Sequence, residues 1–287
     1  MTTCCTHRKR RLITCLHGML ILLLILILAS IAACGGNGSD EAPTDDIFIT
    51  AYQERPGDVF EYQSSMEFIY SDGKTASVTQ KETQSFSQVD SIPEKYGYSG
   101  DLGGPYILST TTVDGELDGY EYISADGTEI VDDDLDTFTR VDAQTISGSD
   151  EPEDVSLGDT FTFREESTLF DSDTAEEVGA RIIEGTFTVA EEETVTVLAG
   201  TFHCLRIDLE LEISITERGI TDTMTTVGSG WFDVENGFGP KLTGTMDITM
   251  NEFGLTCTAT LERVLVDYEI GSVVQLQNLT PIRFVTL

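Results

Sequence analysis

Basic side chains are scarce in this 287-residue chain: 16 Lys and Arg stand against 51 Asp and Glu, and there are only three His. Four of the basic residues, Arg8, Lys9, Arg10 and Arg11, precede Cys34, and no acid does. From Cys34 onward twelve basic face 51 acidic side chains, a net −39 within a whole-chain charge of −35. A field of that sign repels nucleic acid and anionic membrane surfaces and attracts cations. Salt adaptation is the simplest account of it. Imidazole is equally sparse, since His203 is the only His after Cys34. No G-x-S-x-G elbow accompanies it, no Cys/His spacing suggests zinc, and carboxylates are too common for any one pair to mark a glycosidase. The expectation is a non-enzymatic chain with no catalytic set, no metal site and no cofactor.

Helical periodicity is also missing. After Asp46 the apolar residues alternate instead, which is the period of strands. Strands are expected at Val59–Tyr70, Thr75–Val89, Tyr106–Val113, Tyr120–Ile123, Arg181–Val189, Thr194–Leu198, Phe202–Thr216, Thr221–Val234, Gly239–Met250 and Leu255–Ile270. Asp72-Gly73, Asp114-Gly115 and Asp126-Gly127 supply the positive φ that tight hairpins need. The segment Arg55-Pro56-Gly57-Asp58-Val59-Phe60-Glu61-Tyr62 is echoed by Ser156-Leu157-Gly158-Asp159-Thr160-Phe161-Thr162-Phe163. The reading is all-β: an antiparallel curved sheet or half-barrel. Two tandem β-units over 47–148 and 155–270 and one continuous sheet are both open. Residues 271–287 form a last strand or tail.

The chain's one long apolar run is near its start. It spans Leu12 to Ala33 and follows the basic cluster His7–Arg11. A positive flank, an apolar helix and small residues at a cut site compose a secretory signal, here 1–33. Ile31-Ala32-Ala33-Cys34 resembles the lipobox of bacterial lipoproteins. The resemblance implies a diacylglyceryl thioether on Cys34, cleavage before it, and a membrane as partner through fatty acyl chains. Two or more such chains anchor stably. Residues 34–46, rich in Gly, Ser, Asp and Pro, read as a flexible tether. Gly35 stands where an Asp would resemble an inner-membrane retention signal, so the expected site is the outer membrane of the cell envelope. The apolar run is also long enough to span a bilayer uncleaved; either way the acidic bulk is exported.

Of six cysteines, Cys4, Cys5 and Cys15 leave with the signal and Cys34 takes the lipid. Cys204 and Cys257 remain, in a compartment where a disulfide persists. Strand alternation puts Cys204 on the polar face of its strand and Cys257 on the apolar face of its own, so pairing needs a bulge at His203-Cys204. The alternative is two small buried thiols. Two acidic runs, Asp114–Gly119 and Asp132–Asp136, invite a check for calcium. The first begins like an EF-hand loop but has Ala125 at its twelfth position, and solvated loop charge is the simpler reading of both.

Three segments of the second half, Thr194–Ile207, Gly230–Lys241 and Leu261–Leu265, together resemble TapB-like secreted β-proteins. These are similar in shape to the curved-sheet lipoprotein carriers. The resemblance implies a fold and a concave face for an apolar ligand or an envelope protein; it implies no reaction. Pro240 and the acidity depart from the pattern. Trp231, the only Trp, is expected in a core or at a pocket mouth.

Overall fold

The computed structural model describes residues 52, 54–98, 104–124, 127–148, 157–251 and 253–271. The signal, Cys34, the tether, most of the 147–154 boundary and residues 272–287 lie outside them.

Among the described residues thirteen strands follow one another: β1 (Val59–Tyr70), β2 (Thr75–Val89), β3 (Tyr106–Val113), β4 (Glu116–Ile123), β5 (Glu129–Asp133), β6 (Thr137–Arg140), β7 (Gln144–Gly148), β8 (Thr160–Asp171), β9 (Glu177–Val197), β10 (Gly200–Glu217), β11 (Ile220–Asp233), β12 (Lys241–Met250) and β13 (Leu255–Glu269). All are joined in a single sheet, and every pairing is antiparallel. Every strand pairs with its neighbours in sequence except β6 with β7, and β1 returns to pair with β13. The opposite junction is split. β6 touches β8 at Thr137–Asp171 and Phe138–Phe170, the chain leaves the edge at Val141–Ala143, and β7 resumes along β8. The result is an up-and-down barrel twelve strands round, with β6 and β7 as two halves of one position. The expected half-barrel is therefore closed, and strands of both expected units share it.

Local chemistry accounts for the meander. Asp114 and Gly115 both hold positive φ, at 51° and 81°, as do Arg218 and Gly219, at 50° and 83°. Such a pair matches the right-handed twist of the strands it joins. The sequence echo is a structural one. Gly57 and Gly158 have φ of 94° and 93°. Gly57 N–H donates to Phe86 O, and Phe86 N–H to Asp58 O. Gly158 N–H donates to Val189 O, and Val189 N–H to Asp159 O, in the same pattern. Six strand positions follow each turn, so the barrel is two like halves sealed at β1–β13 and at β8–β6/β7.

Directly paired residues face the same way, so the register defines one inner face all round the barrel. On β1, β2 and β8–β13 that face carries the main core, among it Met66, Phe68, Ile183, Phe187, Leu209, Leu211, Met246 and Leu261. Phe202 and Cys204 stand in the opposite phase of β10 from Leu209 and Leu211. They pack with Tyr52, Phe60 and Phe238 in a second cluster at one end. A third cluster, Tyr96, Tyr106, Tyr122, Ile130, Val131 and Phe138, lies on the other side of β3–β6.

Candidate functional site: a carboxylate-lined inner wall

Around β2–β8 the inner face changes character. Register steps from Glu82 and Gln84 on β2 to Ser109 and Thr111 on β3, Glu121 on β4, Glu129 and Asp132 on β5, Thr139 on β6, and Glu165 and Ser167 on β8. Most of these are buried. One side of the barrel is filled with apolar side chains and the other is lined with polar ones. Twelve strands enclose more space than the eight whose side chains just fill the interior.

Two arginines reach into this wall, one at each seam. Arg263 of β13 is 4% exposed and donates from Nε to Glu82 Oε2 at 3.0 Å and from Nη2 to Glu82 Oε1. Its guanidinium stacks 3.4 Å from the centre of the Tyr62 ring. At the other seam Arg181 of β9 donates from Nη2 to Glu165 Oε1 at 3.0 Å and from Nη1 to Asp132 Oδ2 at 3.4 Å. Ser167 Oγ donates to the same Glu165 oxygen at 2.5 Å. Planar forks of this kind suit carboxylates.

The second cluster has more acid than base. Glu129, Asp132 and Glu165 share Arg181, Glu121 neighbours Glu129 and Asp132, and Glu54 approaches from before β1. Burial is the main reason Glu121, Glu129, Asp132 and Glu54 hold their protons tightly, and repulsion from neighbouring carboxylates adds to it. Glu129 is raised to about 8 and Glu54 to about 7. Glu121 is raised well above the carboxylate range, by burial first and then by Glu129, Asp132 and Glu54. Asp132 is raised by burial and pulled back by Arg181. The described residues contain no group of three or more Asp, Glu, His or Cys arranged to hold a metal ion.

The residues singled out from sequence are dispersed. Cys204 and Cys257 are free buried thiols in different clusters. The bulge between β9 and β10 falls at Arg206/Ile207, and the pairing of β10 with β11 is unbroken from Cys204 onward, so the phase of Cys204 is not repaired. Burial pushes the Cys204 thiol up to about 12, which makes it inert. His203 is an exposed strand residue 3.4 Å from Glu192. Trp231 is half-buried in the outward phase, donating from Nε1 to Glu193 at 2.6 Å with Lys241 Nζ 4.9 Å over its ring; Phe232 beside it takes the core position. The Asp132–Asp136 run is divided among the inner wall at Asp132, the neighbouring segments at Asp133 and its own turn at Asp134. Asp133 accepts from Tyr96 Oη at 2.6 Å and Ser172 Oγ at 2.7 Å, and Asp134 accepts from the Thr137 N–H at 2.6 Å. Asp114 accepts from the Lys81 N–H at 2.9 Å. The inner carboxylates escaped sequence reading because acids are everywhere in this chain. The only signal was an acid in the inward phase of a strand, as at Glu82 and Glu121.

No family model matches the chain. No curated protein matches it either. Solved structures similar to the chain include the following three. One is a Bacteroides fragilis protein described as exported with a YmcC-like fold: 15% identity, 76% of this chain and 98% of that one, TM-score 0.36. A Parabacteroides distasonis protein described as a lipoprotein has 12% identity over 76% and 97%, TM-score 0.33. The hypothetical lipoprotein YmcC of Escherichia coli has 12% identity over 69% and 83%, TM-score 0.26. Identities and scores of this size transfer no activity.

Proposed function

We propose that this chain is a lipoprotein of the cell envelope, anchored at the outer membrane through acyl chains on Cys34, and that its barrel is a non-enzymatic binding module. The anchor rests on the basic cluster, the apolar run and the Ile31-Ala32-Ala33-Cys34 box. The outward phase supports it. Glu210 and Glu212 on β10, Thr225 on β11, Asp247 on β12 and Glu262 on β13 alternate with the inner residues. A face so charged cannot lie against lipid, so the barrel stands in water and needs a separate attachment.

The polar inner wall is the single observation that carries the binding reading, and it turns the expected ligand from apolar to polar. The apolar half of the interior is occupied by the chain's own side chains. A second reading, a structural or adhesion module, is favoured by β7. Its only strand partner is β8, which leaves one edge open to pairing among the described residues.

Cys34→Ser tests the anchor. The variant is expected to accumulate as unprocessed precursor and to lose labelling by a clickable palmitate analogue. Normal processing with retained label would refute the anchor. Native mass spectrometry of the mature lipoprotein, purified in detergent from its own envelope, tests the binding reading. A retained polar small molecule supports it, and a bare barrel argues against it.

A further inference from the structure

The links between strands in this barrel are charged, with one exception. Every other link between consecutive strands contains an Asp, Glu, Lys or Arg, as at Asp72, Asp114, Asp134 and Arg218. The β9–β10 link is Leu198-Ala199, and no charged residue occurs from Thr194 to Phe202. Leu198 is 71% exposed, more than any other large apolar side chain among the described residues. Tight turns favour Asp, Asn or Gly, so the fold gains nothing from a leucine that faces water.

The apex is held over one end of the barrel. Val195 and Phe202 pack among Tyr52, Phe60, Phe86 and Phe238, and Ala199 N–H donates to Leu265 O of β13 at 3.3 Å. Thr196 and Thr201, in the opposite phase, are exposed and joined to each other, Oγ1 to Oγ1, at 3.0 Å. Acids in the hairpin stem are engaged, Glu191 by Arg206 at 2.9 Å and Glu193 by Trp231 Nε1 at 2.6 Å. The tip is thus neutral where the sides of the barrel are charged.

The N-terminal segment meets the barrel at this same end. Tyr52 is buried there, its ring edge-on to Phe60 at 5.3 Å and to Phe238 at 6.3 Å, and Phe238 lies 5.5 Å from Phe202. Seventeen residues separate Tyr52 from Cys34. The opposite end also exposes apolar residues, Leu135 and Ile220, but in turns that carry Asp134 and Asp136 or Arg218, and the chain does not enter there.

We propose that the β9–β10 apex is a lipid-contacting tip: Leu198 enters the headgroup–acyl boundary of the bilayer that holds the Cys34 acyl chains, and the barrel stands on this end. The inference rests on the anchor proposed above and adds the orientation of the barrel. One leucine is too little to draw an acidic protein from solution to a membrane. An anchor at the same end supplies the approach and raises the effective concentration of the tip to the order of millimolar, so a weak attraction is enough. An uncharged tip has no ion to desolvate on contact, as the other turns would.

Site-directed spin labelling tests it, on the mature lipoprotein reconstituted into vesicles of phosphatidylethanolamine and phosphatidylcholine. Leu198→Cys and Ile220→Cys each take one nitroxide; the parent, with Cys204 and Cys257 buried, is the blank. Flotation with the vesicles is measured first. Collision rates of the label follow, with oxygen, which concentrates in lipid, and with a water-soluble nickel chelate. The oxygen-to-nickel ratio at 198 is expected to be severalfold above that at 220. A label on Thr196→Cys should show the same excess and lose it when Leu198→Asp is added, a change that an exposed apex accommodates. Floating protein with equal ratios at 198 and 220 overturns the inference and leaves the anchor standing, and so does an excess at 196 that survives Leu198→Asp. Spin–spin broadening at 198 that fades on dilution with unlabelled protein, without the oxygen excess, assigns the tip to a second copy and overturns the inference too. Failure to float overturns the anchor and this inference together.

Discussion

The Arg263–Glu82 pair shows what a buried charge does in this molecule. Both side chains are nearly inaccessible, and the pair is doubly hydrogen-bonded and capped by the Tyr62 ring. Desolvation offsets much of the attraction, so the intact pair adds little net stability. Removing one member is different, because the other stays buried without a counter-charge. Arg263→Met is expected to lower unfolding free energy in urea by about 3–5 kcal/mol, and Arg263→Met with Glu82→Leu to recover most of that. Equal losses in the single and double variants would show that lost packing, not stranded charge, sets the cost. Neither residue was legible as a partner of the other. They lie 181 positions apart, and only barrel closure at β1–β13 brings them together.

At the scale of elements, strands were legible and their seams were not. Long alternating runs such as Phe202–Thr216 became β10 with small changes at the ends. The expected pieces Arg181–Val189 and Thr194–Leu198 are one strand, β9, because the bulge opposite Arg206/Ile207 breaks the alternation without breaking the pairing. The short strands β5, β6 and β7 were missed, since four or five residues hold too few periods to read. Gly185 in β9 reports how closely the strands pack. A Cβ there would collide with Leu211 Cδ2 and with the Phe163 ring, which stacks on Phe187 at 5.1 Å. Gly185→Ala should therefore lower the urea midpoint, by a cost of about 1–3 kcal/mol for overpacking. An unchanged midpoint would mean that the β8–β9–β10 interior has slack.

For the whole molecule the polar wall sets a pH dependence. Glu129, Glu54 and Glu121 hold protons more tightly folded than unfolded, and so does Asp134, raised to about 7 by burial. Folding then takes up protons, so stability from these groups is complete below the ordinary carboxylate range and is lost as pH rises through it towards about 8. The melting temperature should fall steadily between about pH 5 and about pH 8. Glu121→Gln should flatten that slope. A melting temperature that rises over the same interval would contradict the tightened proton binding of Glu54, Glu121, Glu129 and Asp134.

Alternation of apolar residues and Asp-Gly turns determined the β class, most of the strands and the twofold echo, because both are local: a strand's period and a turn's φ depend on neighbours in the chain. The acidity determined that the outer surface is charged. Closure of the barrel, the split seam at β6 and β7, the separation of Cys204 from Cys257 and the assembly of Glu121, Glu129, Asp132 and Glu165 on one wall were decided by tertiary structure. Those features depend on register between strands far apart in sequence. In a chain with 51 acids, composition cannot tell a carboxylate that faces water from one that faces the interior.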